Sequence, residues 1–130
     1  EEKINGKSYE MVVHLVHADQ EGNLAVVAIL FESGKDNPLI QELWNDLPKE
    51  KEKEELLDTV TINAADLLPT ETGYYTFSGS LTTPPCSENV TWFVLKRPVT
   101  VTKKEIEQFA TTRSGKYQGR DCDESPASVP

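Results

Sequence analysis

The run Gly79-Ser80-Leu81-Thr82-Thr83-Pro84-Pro85-Cys86-Ser87-Glu88 sets the tightest limit on what this chain can fold into. Two successive prolines do not fit inside a helix, and neither can donate a backbone hydrogen bond to a sheet ladder. Each proline also pushes the residue before it towards an extended geometry. Thr83 is thereby held extended, with Thr82 just ahead of the stiff pair. Gly79 supplies conformational freedom on the approach. The run is therefore a braced loop between strands. In the plainest reading its threonines bond nearby backbone. In a second reading, a hydroxyl fixed on rigid backbone aims a hydrogen bond at a reacting group, as catalysis requires.

A second run carries the chain's only two histidines. Tyr9-Glu10-Met11-Val12-Val13-His14-Leu15-Val16-His17 is rich in β-branched residues and reads as a strand. Both alternating faces are apolar, so burial on both sides is expected. Val12, His14 and Val16 share one face; Met11, Val13, Leu15 and His17 share the other. His14 and His17 therefore cannot hold one metal together from a regular strand. A zinc site needs about three or four protein ligands. His14 is either a hydrogen-bonded packing residue or one ligand of a set completed elsewhere.

The remaining segments give a coherent order. Asn5-Gly6 is a tight-turn signal leading into the histidine strand. The polar stretch from Ala18 to Asn23 joins that strand to Leu24–Phe31 as an antiparallel hairpin. Asp36 or Asn37 can cap a helix with Pro38 in its first turn, and Leu39, Ile40, Leu43, Trp44 and Leu47 fall on one face before Pro48 ends it. Asp58 to Ile62 reads as a short strand and Asn63 to Leu68 as a helical turn halted by Pro69. Tyr74–Ser78, Val90–Leu95 and Val99–Val101 read as strands. Thr102 and Glu105 make a capping box for a brief helix through Ile106 and Phe109. Strands outnumber helices, which gives an antiparallel sheet with peripheral helices.

Bulk properties exclude several functions. A length of 130 residues suits one domain, and 37% hydrophobic residues suffice for a core. A net charge of −9 with pI near 4.7 opposes nucleic-acid binding, which rests on neutralising phosphates with Lys and Arg. No apolar run is long enough to span a membrane, and no signal peptide is visible. The mixed-charge stretch from Lys49 to Glu55 reads as solvated surface. Cys86 and Cys122 could pair with each other, or Cys86 could seek a partner elsewhere and leave Cys122 free.

The loop and the histidine strand together resemble the α-class carbonic anhydrases. In that family a His-Leu-Val-His strand carries the third zinc-ligating histidine, and a later Gly-Ser-Leu-Thr-Thr-Pro-Pro loop holds the threonine that orients the nucleophile. Here these are His14-Leu15-Val16-His17 and Gly79 to Pro85, in the same order. The resemblance runs from Glu1 to about Phe109. It implies a mainly β fold of the α+β roll type, with a large twisted, mostly antiparallel central sheet and short peripheral helices, present here only in part. Residues 1–112 correspond to the C-terminal portion of such a domain; 113–130 form a polar tail without a match.

What the resemblance implies about chemistry is specific. His14 becomes a ligand to Zn2+. Thr82 accepts a hydrogen bond from the nucleophile and donates one from its own hydroxyl to a glutamate that maps onto Glu1. Val16, Val26, Leu81 and Trp92 form the apolar wall for carbon dioxide, and Thr83 stands at the mouth of the pocket. On periodicity alone the four wall residues are simply strand and loop hydrophobes. The substrates implied are carbon dioxide and bicarbonate. The first two zinc ligands come from a His-x-His strand that this sequence lacks, so the chain is expected to be an excised, truncated or split piece. Its partner would be the N-terminal half, in cis or in trans. Cys86 sits where secreted members carry a disulfide cysteine, which points to a periplasmic or extracellular location.

Two departures bear on activity. The family places a glutamate two residues before the third ligand to bond its free ring nitrogen; here that position is Val12. Glu10 shares the face but is too remote to be assigned that role. Glu2 and Phe77 stand where many members have histidine and tyrosine. Weakened support for the site is therefore expected, and a non-catalytic binding module on the same scaffold, or an inactive fragment, is the alternative.

Overall fold

The computed structural model describes residues 2–46, 61–112 and 128–129. Among the described residues, eight strands and two helices follow in chain order: β1 (Lys3–Ile4), β2 (Lys7–Ser8), β3 (Met11–Ala18), β4 (Leu24–Ser33), α1 (Pro38–Asn45), β5 (Tyr74–Gly79), β6 (Val90–Leu95), β7 (Val99–Val101), α2 (Lys103–Thr112) and β8 (Ser128–Val129). A 3-10 turn, Ala64–Leu67, lies between α1 and β5. The main sheet runs β3-β4-β6-β5, with β7 also on β4; a small sheet runs β2-β1-β8. The mainly β architecture with short helices is as expected. The sheet is mixed, however: β3/β4 and β5/β6 are antiparallel, whereas β4 pairs parallel with both β6 and β7.

Local sequence explains the boundaries. Asn5 and Gly6 both take positive φ, 51° and 78°, and close the β1–β2 hairpin. Asp19 accepts from the backbone N–H of Glu21 and Asn23 and turns β3 into β4. The Asn37 side chain caps α1 through the N–H groups of Leu39 and Ile40, ahead of Pro38. Asn63 caps the 3-10 turn in the same way. The strand expected over Asp58 to Ile62 falls largely outside the described residues, and its described part, Thr61 and Ile62, is not a strand. Leu47, Pro48 and the Lys49–Glu55 stretch also lie outside the described residues.

The sheet has two apolar faces, each with its own core. One packs Ile29, Phe31, Leu95 and Val101 against Ile40, Trp44 and Leu67, with Met11, Val13 and Leu15 alongside. The other packs Val26, Ala28, Leu30, Val90, Trp92 and Val94, with Val12, Phe77 and Leu81 against them. The alternation of side chains along β4 and β6 produces this division. Strand β3 departs from expectation. It lies at one end of the main sheet, its residues are half-buried to exposed, and Val16 is 58% exposed. Its doubly apolar pattern does not produce burial on both sides, because among the described residues only β4 pairs with it in that sheet.

The helices are locked together through Glu105. Its Oε1 accepts from the Thr102 N–H and hydroxyl and, at 3.3 Å, from the Asn37 N–H at the start of α1. The Thr102 hydroxyl in turn accepts from the Glu105 N–H, completing the expected capping box. Trp44 donates to the Glu105 carbonyl at 2.6 Å and stacks on Phe109. Glu105 is buried, so removing its carboxylate leaves enclosed donors without an acceptor. Glu105→Ala is expected to lower unfolding stability by about 1–3 kcal/mol. Urea unfolding would check this, and a loss within the noise of a surface substitution would show that the two caps are not coupled.

Candidate metal centre

Cross-strand register assembles the face that carries His14. His14 pairs with Ala28 and Val16 with Val26 across β3 and β4. Val26 pairs with Trp92, and Trp92 with Phe77. Val16, Val26, Trp92 and Phe77 therefore form one rung across four strands. Within it the rings of Phe77 and Trp92 are stacked, 6.2 Å apart. The His14 ring meets Trp92 edge-on, with centroids 4.9 Å apart. Val26 and Trp92 are buried, whereas Val16 opens to solvent. Three of the four expected wall residues thus line up on strands beside the histidine.

The loop is fastened to this rung. Trp92 Nε1 donates to the Ser80 carbonyl at 3.1 Å. The Leu81 N–H donates to the Ser87 carbonyl, and the Cys86 N–H to the Thr83 carbonyl, each at 2.9 Å. Gly79 lies close beneath it: a Cβ there would stand 3.1 Å from Trp92 Cδ1, a tight contact. The Pro84–Pro85 bond is cis, and Cys86 takes a positive φ. Leu81 packs on the same core as Trp92 and Val26. Thr82 is half-buried and Thr83 exposed. Among the described residues no hydrogen bond joins the Thr82 hydroxyl to His14 or Glu2. Glu1, its expected acceptor, lies outside the described residues. Cys86 is disulfide-bonded, and the chain's other cysteine, Cys122, is also outside them.

The residue that sequence reasoning missed is Glu2. Its Oε1 lies 2.7 Å from His14 Nε2, and the side chain is only 7% exposed. The sequence offered no short-range sign of this contact. The partners are twelve positions apart, and only the β1–β2 hairpin brings the chain start back beside β3. Glu10 is engaged elsewhere, accepting from the Ser33 hydroxyl. Val12, with no polar atom in its side chain, packs into the apolar core of this face.

Burial pushes the Glu2 carboxyl up, but the hydrogen bond and charge of His14, aided by a backbone hydrogen bond, carry it below its ordinary 4.5. A carboxyl held lower in the folded chain than in the unfolded one stabilises the fold above the unfolded value, and the contribution is lost as pH falls through the lowered one. Urea-unfolding curves of the parent chain and Glu2→Gln between pH 7 and pH 3 are expected to differ most near neutral pH and to begin drawing together as pH falls below about 4.5, towards the lowered value. A gap that stays constant with pH would contradict the pairing.

A single imidazole is available on this face. Among the described residues no group of three or more His, Cys, Asp or Glu side chains could hold a metal ion. Catalytic zinc takes three protein ligands and keeps a fourth position open, so the donors present fit one corner of such a centre and no more. A carboxylate on Nε2 leaves Nδ1 as the nitrogen suited to a metal.

Comparison with known proteins places these features. The family described as "Eukaryotic-type carbonic anhydrase" matches residues 1–125. The chain is 39% identical over 110 residues to a carbonic anhydrase of Nostoc sp., covering 85% of this chain and 42% of that protein. It is 43% identical over 111 residues to one of Klebsiella pneumoniae, covering 85% and 44%. Among solved structures, the α-carbonic anhydrase of Thermovibrio ammonificans bound to the inhibitor sulfanilamide superposes with a TM-score of 0.79 at 42% identity, over 83% of this chain and 47% of that one. A hyperthermostable carbonic anhydrase from a hydrothermal vent chimney gives 0.77 at 47% identity, over 82% and 47%. The chain therefore spans less than half the length of these relatives.

Proposed function

The chain belongs to the eukaryotic-type, α-class carbonic anhydrase family, and from that premise we propose that it supplies one side of a zinc-dependent site for the reversible hydration of carbon dioxide to bicarbonate and a proton. The observation that carries the reading is His14. It is a half-buried imidazole with one nitrogen tied to a carboxylate, standing beside the aromatic wall to which the Thr-Thr-Pro-Pro loop is fastened. Zinc, when held, supplies the Lewis acidity that makes water a nucleophile near neutral pH, for which carbonic anhydrase is the standard example.

The chain's own residues then divide the work. His14 is one ligand. Val16, Val26, Leu81 and Trp92 offer an apolar wall, which suits a substrate that accepts few hydrogen bonds. Thr82, braced by the two prolines and by the Leu81–Ser87 and Thr83–Cys86 backbone bonds, orients the nucleophile and donates its hydroxyl hydrogen bond to Glu1. A threonine obliged to donate to a carboxylate can only accept from the nucleophile, which turns a lone pair towards carbon.

The other ligands come, in this proposal, from a His-x-His strand outside these 130 residues, in cis or in trans. Three observations support that. One site-facing histidine is too few, the relatives are more than twice as long as the matched region, and among the described residues β3 ends the main sheet with Val16 exposed beside it. A strand added along β3 would cover Val16. A disulfide-bonded Cys86 favours an oxidising setting, periplasmic or extracellular. The rival reading, a non-catalytic binding module, draws on Val12 and the single histidine.

Stopped-flow measurement of carbon dioxide hydration separates the two. The purified chain with added zinc is expected to run at the buffer rate. Joined to an upstream family half bearing His-x-His, it is expected to show sulfonamide-sensitive hydration, abolished by His14→Ala and lowered about 100-fold by Thr82→Ala. Rapid hydration by the chain alone, or none after joining, would overturn the proposal.

A further inference from the structure

We propose that Glu2 is the positioning residue for His14, a carboxylate supplied from the segment before β1 in place of one at position 12. The inference rests on the reading of His14 as a metal ligand. A ligating histidine works through whichever ring nitrogen lacks a proton, and the group bound to the other nitrogen decides which that is. The usual place for that group, two residues back on the same strand face, is Val12. Taken alone, that substitution leaves the imidazole without an orienting partner.

The structure supplies one from a different element. Glu2 Oε1 meets His14 Nε2 at 2.7 Å, within the range of a charge-assisted hydrogen bond. A carboxylate only accepts, so Nε2 donates, and in the neutral imidazole Nδ1 then keeps its lone pair. Glu2 is buried, which limits competition from water. Two further contacts hold the partners in register. The Asn5-Gly6 turn folds β1 onto β2 and directs the chain into β3. The edge of the His14 ring rests against Trp92, which is itself tethered to the loop at Ser80. The carboxylate has thus changed its element of origin while the side chain it serves has kept its strand. Glu10, which shares the His14 face, is occupied by Ser33.

Nitrogen-15 NMR of the full 130-residue chain tests this directly, because long-range couplings report which imidazole nitrogen carries the proton. At about pH 8.5, above the ordinary histidine range, His14 is expected to be at least about ten-to-one in the Nε2–H form. Glu2→Ala is expected to lower that ratio to the weaker intrinsic Nε2–H preference of a solvated imidazole. Glu2→Gln, whose amide oxygen can still accept, should retain most of it, and Glu2→Ala with Val12→Glu should restore it. Amide spectra of each variant establish whether the fold persists. A dominant Nδ1–H form in the parent chain, or an unchanged Nε2–H preference in folded Glu2→Ala, would overturn the assignment. A zinc titration of the chain joined to a half bearing His-x-His, followed at the same nitrogens, keeps the two ideas separable. Zinc-dependent shifts confined to Nδ1 and weakened about 10–100-fold in Glu2→Ala support the positioning role. A fixed tautomer in a joined protein that does not bind zinc would sink the metal-site reading while leaving the Glu2–His14 contact standing.

Discussion

Strand β4 is the member on which the rest of this structure depends. It pairs with β3 along eight residues, runs parallel to β6, and carries β7 at its far end. Its alternation decides which core each neighbour joins. Ile29 and Phe31 face the helices, while Val26, Ala28 and Leu30 face the opposite side. Once that phase is set, His14 must share a face with Val26 and Trp92, because a one-residue slip would turn it to the helix side. The chemistry of the candidate centre is therefore a consequence of sheet register before it is a consequence of any loop.

The loop and the start of the chain then act on a histidine whose position is already given. Trp92 links the two, since one ring contacts the imidazole and hydrogen-bonds the base of the Thr-Thr-Pro-Pro segment. Glu2 completes the arrangement from the other side. A buried carboxylate without a partner would be costly, and removing one member of a buried pair usually costs more than the pair itself contributes. That asymmetry makes the Glu2–His14 contact costly to break from either side, and it links the β1–β2 hairpin to the candidate ligand.

Much of this was legible in the sequence wherever the signal was local. The Asn5-Gly6 turn, the Asn37–Pro38 cap, the Thr102–Glu105 box and the alternation of the histidine strand all depend on neighbours within a few residues. Val16, Val26 and Trp92, grouped by the family resemblance, do share one rung of the sheet. Three features were out of reach. The parallel pairing of β4 with β6 and β7 depends on how distant segments meet. The exposure of β3 depends on which strands lie beside it, and a doubly apolar pattern reports only what could be covered. The Glu2–His14 contact joins residues on two elements, and sequence spacing carries no mark of it.

The central physical claim is that His14 presents Nδ1 to a metal while Glu2 holds Nε2. Anomalous scattering at the zinc edge, from crystals of the chain joined to a half bearing His-x-His, tests it most directly. The expected result is a strong peak about 2.0–2.1 Å from His14 Nδ1, with Nε2 still within hydrogen-bonding distance of Glu2. A peak coordinated through Nε2, or a zinc ion bound away from His14, would contradict it.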